Sequence, residues 1–184
     1  MTRRAAIMAM DLQRDFLDPG GRLPISRQQI DGVIMTMNSA INWAVRTGVP
    51  VVYVQNAFGL LDLANLTRNF AALQGAAGAA LDPRIVDLSK APHVIKKIPD
   101  AFSNPALTQI LRERRIEQLI VGGVYAEACV YQSCRSALKR GFSVSLLVDG
   151  IGAANDQARF DAIRALVAQG AITVGVADLG ALTR

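Results

Sequence analysis

Histidine is almost missing from this chain, whose 184 residues include one, His93. The pattern around it places His93 at a strand entrance, the wrong end for a site on a parallel sheet, so neither a Cys-His nor a Ser-His mechanism is expected. Cysteine is nearly as scarce, with only Cys129 and Cys134. On one helix, residues five apart project about 140° from each other, so the two should not pair. That fits a reducing, cytoplasmic setting. Aromatic residues make up only 5%. None interleaves with the basic pairs Arg3-Arg4, Lys96-Lys97, Arg114-Arg115 and Lys139-Arg140, so the net charge of +5 reads as solvated faces and no nucleic-acid partner is expected. No apolar run approaches a membrane span. After Met1-Thr-Arg-Arg4 the apolar stretch from Ala5 to Met10 is too short for a signal-peptide core. A Gly-x-Gly-x-x-Gly after the first strand is also missing, which argues against a Rossmann dinucleotide enzyme.

What the chain does have is aliphatic: 51% of its residues are hydrophobic, enough for one domain, expected over residues 1–184, with a substantial core. Short apolar runs bounded by glycine and proline predict six buried strands: Ala5–Met10, Val49–Gln55, His93–Lys97, Gln118–Val124, Ser143–Val148 and Ile172–Val176. Between them lie helical stripes. Ser26 precedes one through Ile30, Val33, Ile34, Met37, Ile41 and Val45, stopped at Gly48. Asn104-Pro105 starts another, a third runs from about Ala126 to Arg140, and Asn155 opens a fourth with Phe160, Ile163, Leu166 and Val167. Residues 57–92 are the least regular. Strands alternating with helices mean a parallel sheet covered on both faces, a three-layer α/β/α domain.

Three chemistry-bearing residues fall at or just beyond the carboxyl ends of predicted strands, where open parallel sheets place ligands. They are Asp11, one of Lys96 and Lys97, and Cys129, which sits where Leu119-Ile-Val-Gly-Gly-Val-Tyr125 hands over to a helix. A carboxylate there can move protons, an ammonium can hold a cysteine as thiolate, and a thiolate can attack a carbonyl. Helix amides and an adjacent ammonium lead us to expect a Cys129 pKa below the free value near 8.5.

An ordered set of segments resembles the isochorismatase-like cysteine hydrolases. These are Asp11-Leu-Gln-Arg-Asp-Phe16 followed by a Pro-Gly turn, Leu73-Gln-Gly-Ala-Ala-Gly-Ala-Ala-Leu-Asp-Pro83, Lys96-Lys-Ile-Pro-Asp-Ala-Phe102, Gly123-Val-Tyr-Ala-Glu-Ala-Cys-Val130 and Val148-Asp-Gly150. The resemblance implies strand order 3-2-1-4-5-6 in a Rossmann-like sheet and a catalytic triad of Asp11, Lys96 and Cys129. Lys96 is preferred to Lys97 by its six-residue spacing to Phe102. The resemblance also implies a cis peptide at Val124–Tyr125, which would aim the Tyr125 amide with the Cys129 amide at one oxyanion. Phe16, Asn56, Phe58 and Tyr125 would line the pocket mouth. Glu127 stands where the family often has asparagine; it would face solvent or bind a substrate N–H. Metal-binding nicotinamidases of the family carry Asp-x-His after strand 2, where this chain reads Gln55-Asn-Ala-Phe58, so no metal and no cofactor are expected. The implied activity is metal-independent hydrolysis of a small amide through a thioester. The alternatives are vinyl-ether hydrolysis with Asp11 as acid and a non-catalytic binding module. A homo-oligomer, dimer or higher, is expected. Lys96 would have to reach about 10 Å across strand 2 to meet Asp11.

Overall fold

Strand β1 (Ala5–Met10) is buried along its whole length, because helices cover both faces of the sheet and no alternation of polar residues is needed. It lies at the centre of one parallel sheet with β2 (Val51–Asn56), β3 (His93–Lys96), β4 (Gln118–Gly123), β5 (Ser143–Ile151) and β6 (Ile172–Val174). The order is β3-β2-β1-β4-β5-β6, as the resemblance implied. The computed structural model describes residues 4–182, so the Met1–Arg3 part of the N-terminal reading lies outside the described residues.

Alternate β1 side chains feed two cores. Ile7 and Ala9 pack with Ile30, Val33, Met37 and Ile41 of helix α2 (Arg27–Thr47) and with Leu179 of α6 (Leu179–Leu182). Ala6, Met8 and Met10 face the other way, toward α3 (Pro105–Glu113), α4 (Tyr131–Lys139) and α5 (Asp156–Val167). The short α1 (Arg14–Leu17), just after the first strand, was not foreseen.

The capping residues act unevenly. Asn104 and Asn155 accept from the Ala106 and Ala158 amides, and Gly48 closes α2 in the left-handed conformation. Ser26 occupies the N-cap position of α2 without a side-chain cap bond. The stripe expected on α5 is displaced: Ala162 and Leu166 are buried, while Phe160 is 60% exposed and Val167 44%. Ala158, Ala162, Ile163 and Leu166 pack in the core that also holds Cys129 and Val130. Val45, at the end of the α2 stripe, is also exposed.

Every strand but β1 departs from its expected bounds, by one to three residues at an end. β5 continues past Val148 to Ile151, through a register shift against Val121 and Gly123. β6 ends at Val174. The turn out of β4 depends on Gly123, at φ 127°, where a Cβ would lie 1.9 Å from the Met10 carbonyl oxygen.

Candidate active site

Three strand ends converge. After β1, Asp11 takes a left-handed conformation at φ 52°, which aspartate tolerates better than most residues. Its amide donates to the Val54 carbonyl at 2.7 Å. After β4 the Val124–Tyr125 peptide is cis, and the Val124 and Ala126 amides are held by the Met10 and Gly152 carbonyls. The chain then makes a π-helical turn, Ala126–Val130, before α4 begins at Tyr131. Cys129 sits inside that turn and not on the regular helix read from the sequence. Such turns inside helices are frequent at functional sites.

β3 turns Lys96 inward. Along it Val94 and Lys96 are buried and Ile95 is half exposed, and Lys97, just past its end, is exposed. Lys96 pairs in register with Asn56, the last residue of β2. It therefore passes the end of the intervening strand instead of crossing it, which answers the 10 Å problem. Its Nζ lies 2.9 Å from Asp11 Oδ2, 3.2 Å from Cys129 Sγ and 2.6 Å from Asn56 Oδ1. The Asn56 Nδ2 in turn lies 3.7 Å from Sγ. Asn56 is thus 3% exposed and built into the cluster, a deeper place than the pocket mouth expected for it.

Gln13 fixes Asn56 from the other side. Its Oε1 accepts the Asn56 amide and its Nε2 donates to the Asn56 carbonyl, both at 2.8 Å. A fully buried side chain thereby pairs with the end of β2 as another strand would. Gln13 lies in the Asp11–Phe16 segment, so position offered a hint of this, but residue type did not.

Electrostatics correct the expected thiol acidity. Burial pushes the Cys129 thiol up to about 12, the Asp11 carboxylate pushes the same way, and Lys96 offsets only part. Burial works against the Lys96 ammonium, but Asp11 and Cys129 outweigh it and hold Lys96 above its ordinary value. Burial also raises Asp11, with Lys96 opposing. A thiolate beside an ionised Asp11 would give this dry site two negative charges against one positive, whereas carboxylate, ammonium and neutral thiol sum to zero. Burial selects the neutral sum. Moving the thiol proton onto Asp11 keeps that sum, and the raised Asp11 pKa favours the move.

Backbone donors of the turn are unevenly used. The Tyr125 carbonyl accepts from the Ala128 and Val130 amides, both at 3.1 Å, and passes over the Cys129 amide between them. The Tyr125 amide makes no hydrogen bond among the described residues. The Tyr125 hydroxyl is tied to the Leu23 carbonyl, and its ring meets Phe16 edge-on at 5.8 Å.

Above Cys129 opens a cavity of about 210 Å³ lined by Phe16, Asn56, Phe58, Tyr125 and Glu127, together with Leu23, Arg68, Pro99 and Val124. Glu127 is exposed and its Oε1 accepts the Ala154 amide at 3.0 Å. The sequence reading missed Arg68, which lies on the irregular 57–80 segment, where no periodicity says which side chains turn inward. No three His, Cys, Asp or Glu side chains cluster as metal ligands among the described residues. Asn56 and Phe58 do not form the donor set of a metal-binding nicotinamidase, so the residues present do not fit that metal.

A buried carboxylate, ammonium and thiol at the carboxyl edge of a 3-2-1-4-5-6 sheet, under a small cavity, define a cysteine-hydrolase type of site. Residues 5–178 match the Isochorismatase domain family, and the chain belongs to that family and to its hydrolase class. It is 28% identical over 160 residues to an N-carbamoylsarcosine amidase from Arthrobacter sp., covering 81% of this chain and 60% of that protein. An isochorismatase-like hydrolase from Alkaliphilus metalliredigens superposes with a TM-score of 0.87 at 21% identity, over 95% of this chain and 96% of the other. A zinc-bound pyrazinamidase from Pyrococcus horikoshii reaches 0.85 at 24% identity, over 94% and 99%.

Proposed function

We propose that this chain hydrolyses the C–N bond of a small amide through a thioester on Cys129, without a metal. The observation that carries the reading is the Lys96 ammonium within 3.2 Å of both the Asp11 carboxylate and the Cys129 sulfur. In the cycle, Asp11 takes the proton from the thiol as sulfur attacks the substrate carbonyl. The carbonyl π electrons move to oxygen, which the Tyr125 and Cys129 amides stabilise. Lys96 stabilises the transient thiolate. Asp11 passes the proton to the amine, the C–N bond breaks, and the acyl group remains on sulfur. Water then gives a proton to Asp11 and attacks the thioester, releasing the acid, and Asp11 returns the proton to sulfur.

The similarity to an N-carbamoylsarcosine amidase supports amide chemistry within the family. The chain spans 60% of that relative's length, so the relative's own substrate is not carried over. Free, buried Cys129 and Cys134 support a reducing, cytoplasmic setting, and exposed Leu60, Leu61, Leu63 and Leu66 support self-association. The test is a screen of primary amides, ureas and isochorismate with intact-protein mass spectrometry. Turnover of an amide with a Cys129-linked acyl adduct supports the reading. Turnover of isochorismate by a Cys129→Ala protein replaces it with acid catalysis by Asp11, and turnover of none favours a binding module.

A further inference from the structure

Among the side chains lining the cavity, Arg68 is the one cation, and its guanidinium is only partly used. Nη2 donates to Asp62 Oδ2 at 2.6 Å and to Asn65 Oδ1 at 3.2 Å. Nε is buried and has no hydrogen-bond partner. A buried donor without a partner costs stability, so native proteins rarely leave one unless something completes it. The other polar side chains of the lining are committed. Asn56 serves Lys96 and Cys129, and Glu127 is turned to the Ala154 amide. The remaining walls, Phe16, Leu23, Phe58, Pro99, Val124 and Ala128, offer no charge.

Arg68 is also held in place. Its guanidinium lies flat over the Phe58 ring, 3.6 Å from the centroid, and Asp62 and Asn65 hold Nη2. Stacking on one face and pinning at Nη2 hold the guanidinium in one orientation, with Nε left as the donor an anion can complete. The cavity, at about 210 Å³, holds about seven groups of water size at ~30 Å³ each. That leaves room for a scissile carbonyl at Cys129 and one short anionic arm.

We propose that Arg68 selects substrates whose small amide bears a carboxylate on a short arm, the carboxylate completing the guanidinium while the amide carbonyl lies at Cys129. This rests on the amide-hydrolase reading for the reacting end, and Arg68 supplies specificity without touching the reacting atoms.

The probes are succinamate, a four-carbon monoamide carrying a carboxylate, and butyramide, its uncharged counterpart. Kinetics are measured on the wild-type chain, and calorimetric binding of both probes on Cys129→Ala, alone and with each second change. Succinamate should be preferred in kcat/KM, and Arg68→Gln should weaken its binding and raise its KM by about tenfold to a hundredfold. Butyramide should change less than twofold. Arg68→Gln also disturbs the loop, so Asp62→Asn separates the two roles. Asparagine keeps the acceptor that caps the Ala64 amide but removes the competing charge, so succinamate should bind as tightly or more tightly. Loss of succinamate binding in both variants, or equal loss for both probes, would make Arg68 a loop brace and overturn the proposal. Butyramide turnover with no succinamate preference also overturns it and leaves the amidase reading intact. Arg68-dependent succinamate binding with no turnover of either probe supports it and removes the amidase reading instead.

Discussion

The floor and the roof of the cavity are built by opposite means. The floor is made of strand ends: Asp11, Asn56, Lys96 and Cys129 are each buried and placed by a β-ladder or a turn continuous with one. The roof is the 57–80 segment, which has two short 3₁₀ turns, Leu63–Leu66 and Ala77–Ala79. Asn69, Phe70 and Ala72 there take positive φ. Its anchor is Asp15, whose carboxylate reaches up to accept the Ala72 amide at 2.8 Å. The proposed chemistry sits on the rigid part and the proposed selection on the part that can vary without disturbing the sheet, as expected when a scaffold carries functional loops.

The largest effect should come from the floor. Cys129→Ala should lower amide turnover by at least about 10³-fold while circular dichroism and thermal midpoint stay near wild type, because removing a neutral thiol leaves the Asp11–Lys96 pair intact. Next is Lys96→Met, which leaves a buried carboxylate without its cation and should cost about 3–5 kcal/mol in denaturant unfolding. Adding Asp11→Asn should recover much of that loss. A double variant no better than the single would show that the pair is not coupled.

The roof should respond differently. A Cβ at Gly78 would lie 2.1 Å from the Asp15 carboxylate, so Gly78→Ala should displace Asp15 and loosen the Ala72 anchor. The expected cost is about 1–3 kcal/mol and a raised KM, with Cys129 alkylation unchanged. A fall in kcat at constant KM would mean that floor and roof are not separable. The smallest effect is at Leu61, 93% exposed. Leu61→Ser should move stability by no more than about 0.5 kcal/mol and reveal itself only in sedimentation, as weaker self-association.

The same division explains what could be read without a structure. Strand order and the choice of Lys96 were legible only through the family resemblance and its motif spacing to Phe102, whereas the strand-end setting of Cys129 follows from the glycine-bounded apolar run before it. Gln13, standing in for a strand partner of Asn56, has no periodic signature. Arg68 lies where backbone direction changes at almost every residue, so its inward aim depends on local dihedral angles and on Phe58 beneath it. The thiol's acidity was misjudged because sequence shows which charges are near but not how dry the site is. Burial and the Asp11 charge outweigh Lys96.

The most direct test of a neutral-thiol floor is the rate of Cys129 alkylation by iodoacetamide across pH 6–9. With the thiol held up to about 12, wild-type Cys129 should react slowly near neutrality, and its rate should climb about tenfold per pH unit as the thiolate fraction grows. Asp11→Asn removes the charge that opposes the thiolate and keeps the Lys96 ammonium, so labelling at pH 7 should quicken by about tenfold or more even as turnover is lost. Lys96→Met should slow it, and Lys97→Met should leave it unchanged. A wild-type rate already saturated at neutral pH, or a slower rate in Asp11→Asn, would contradict the account.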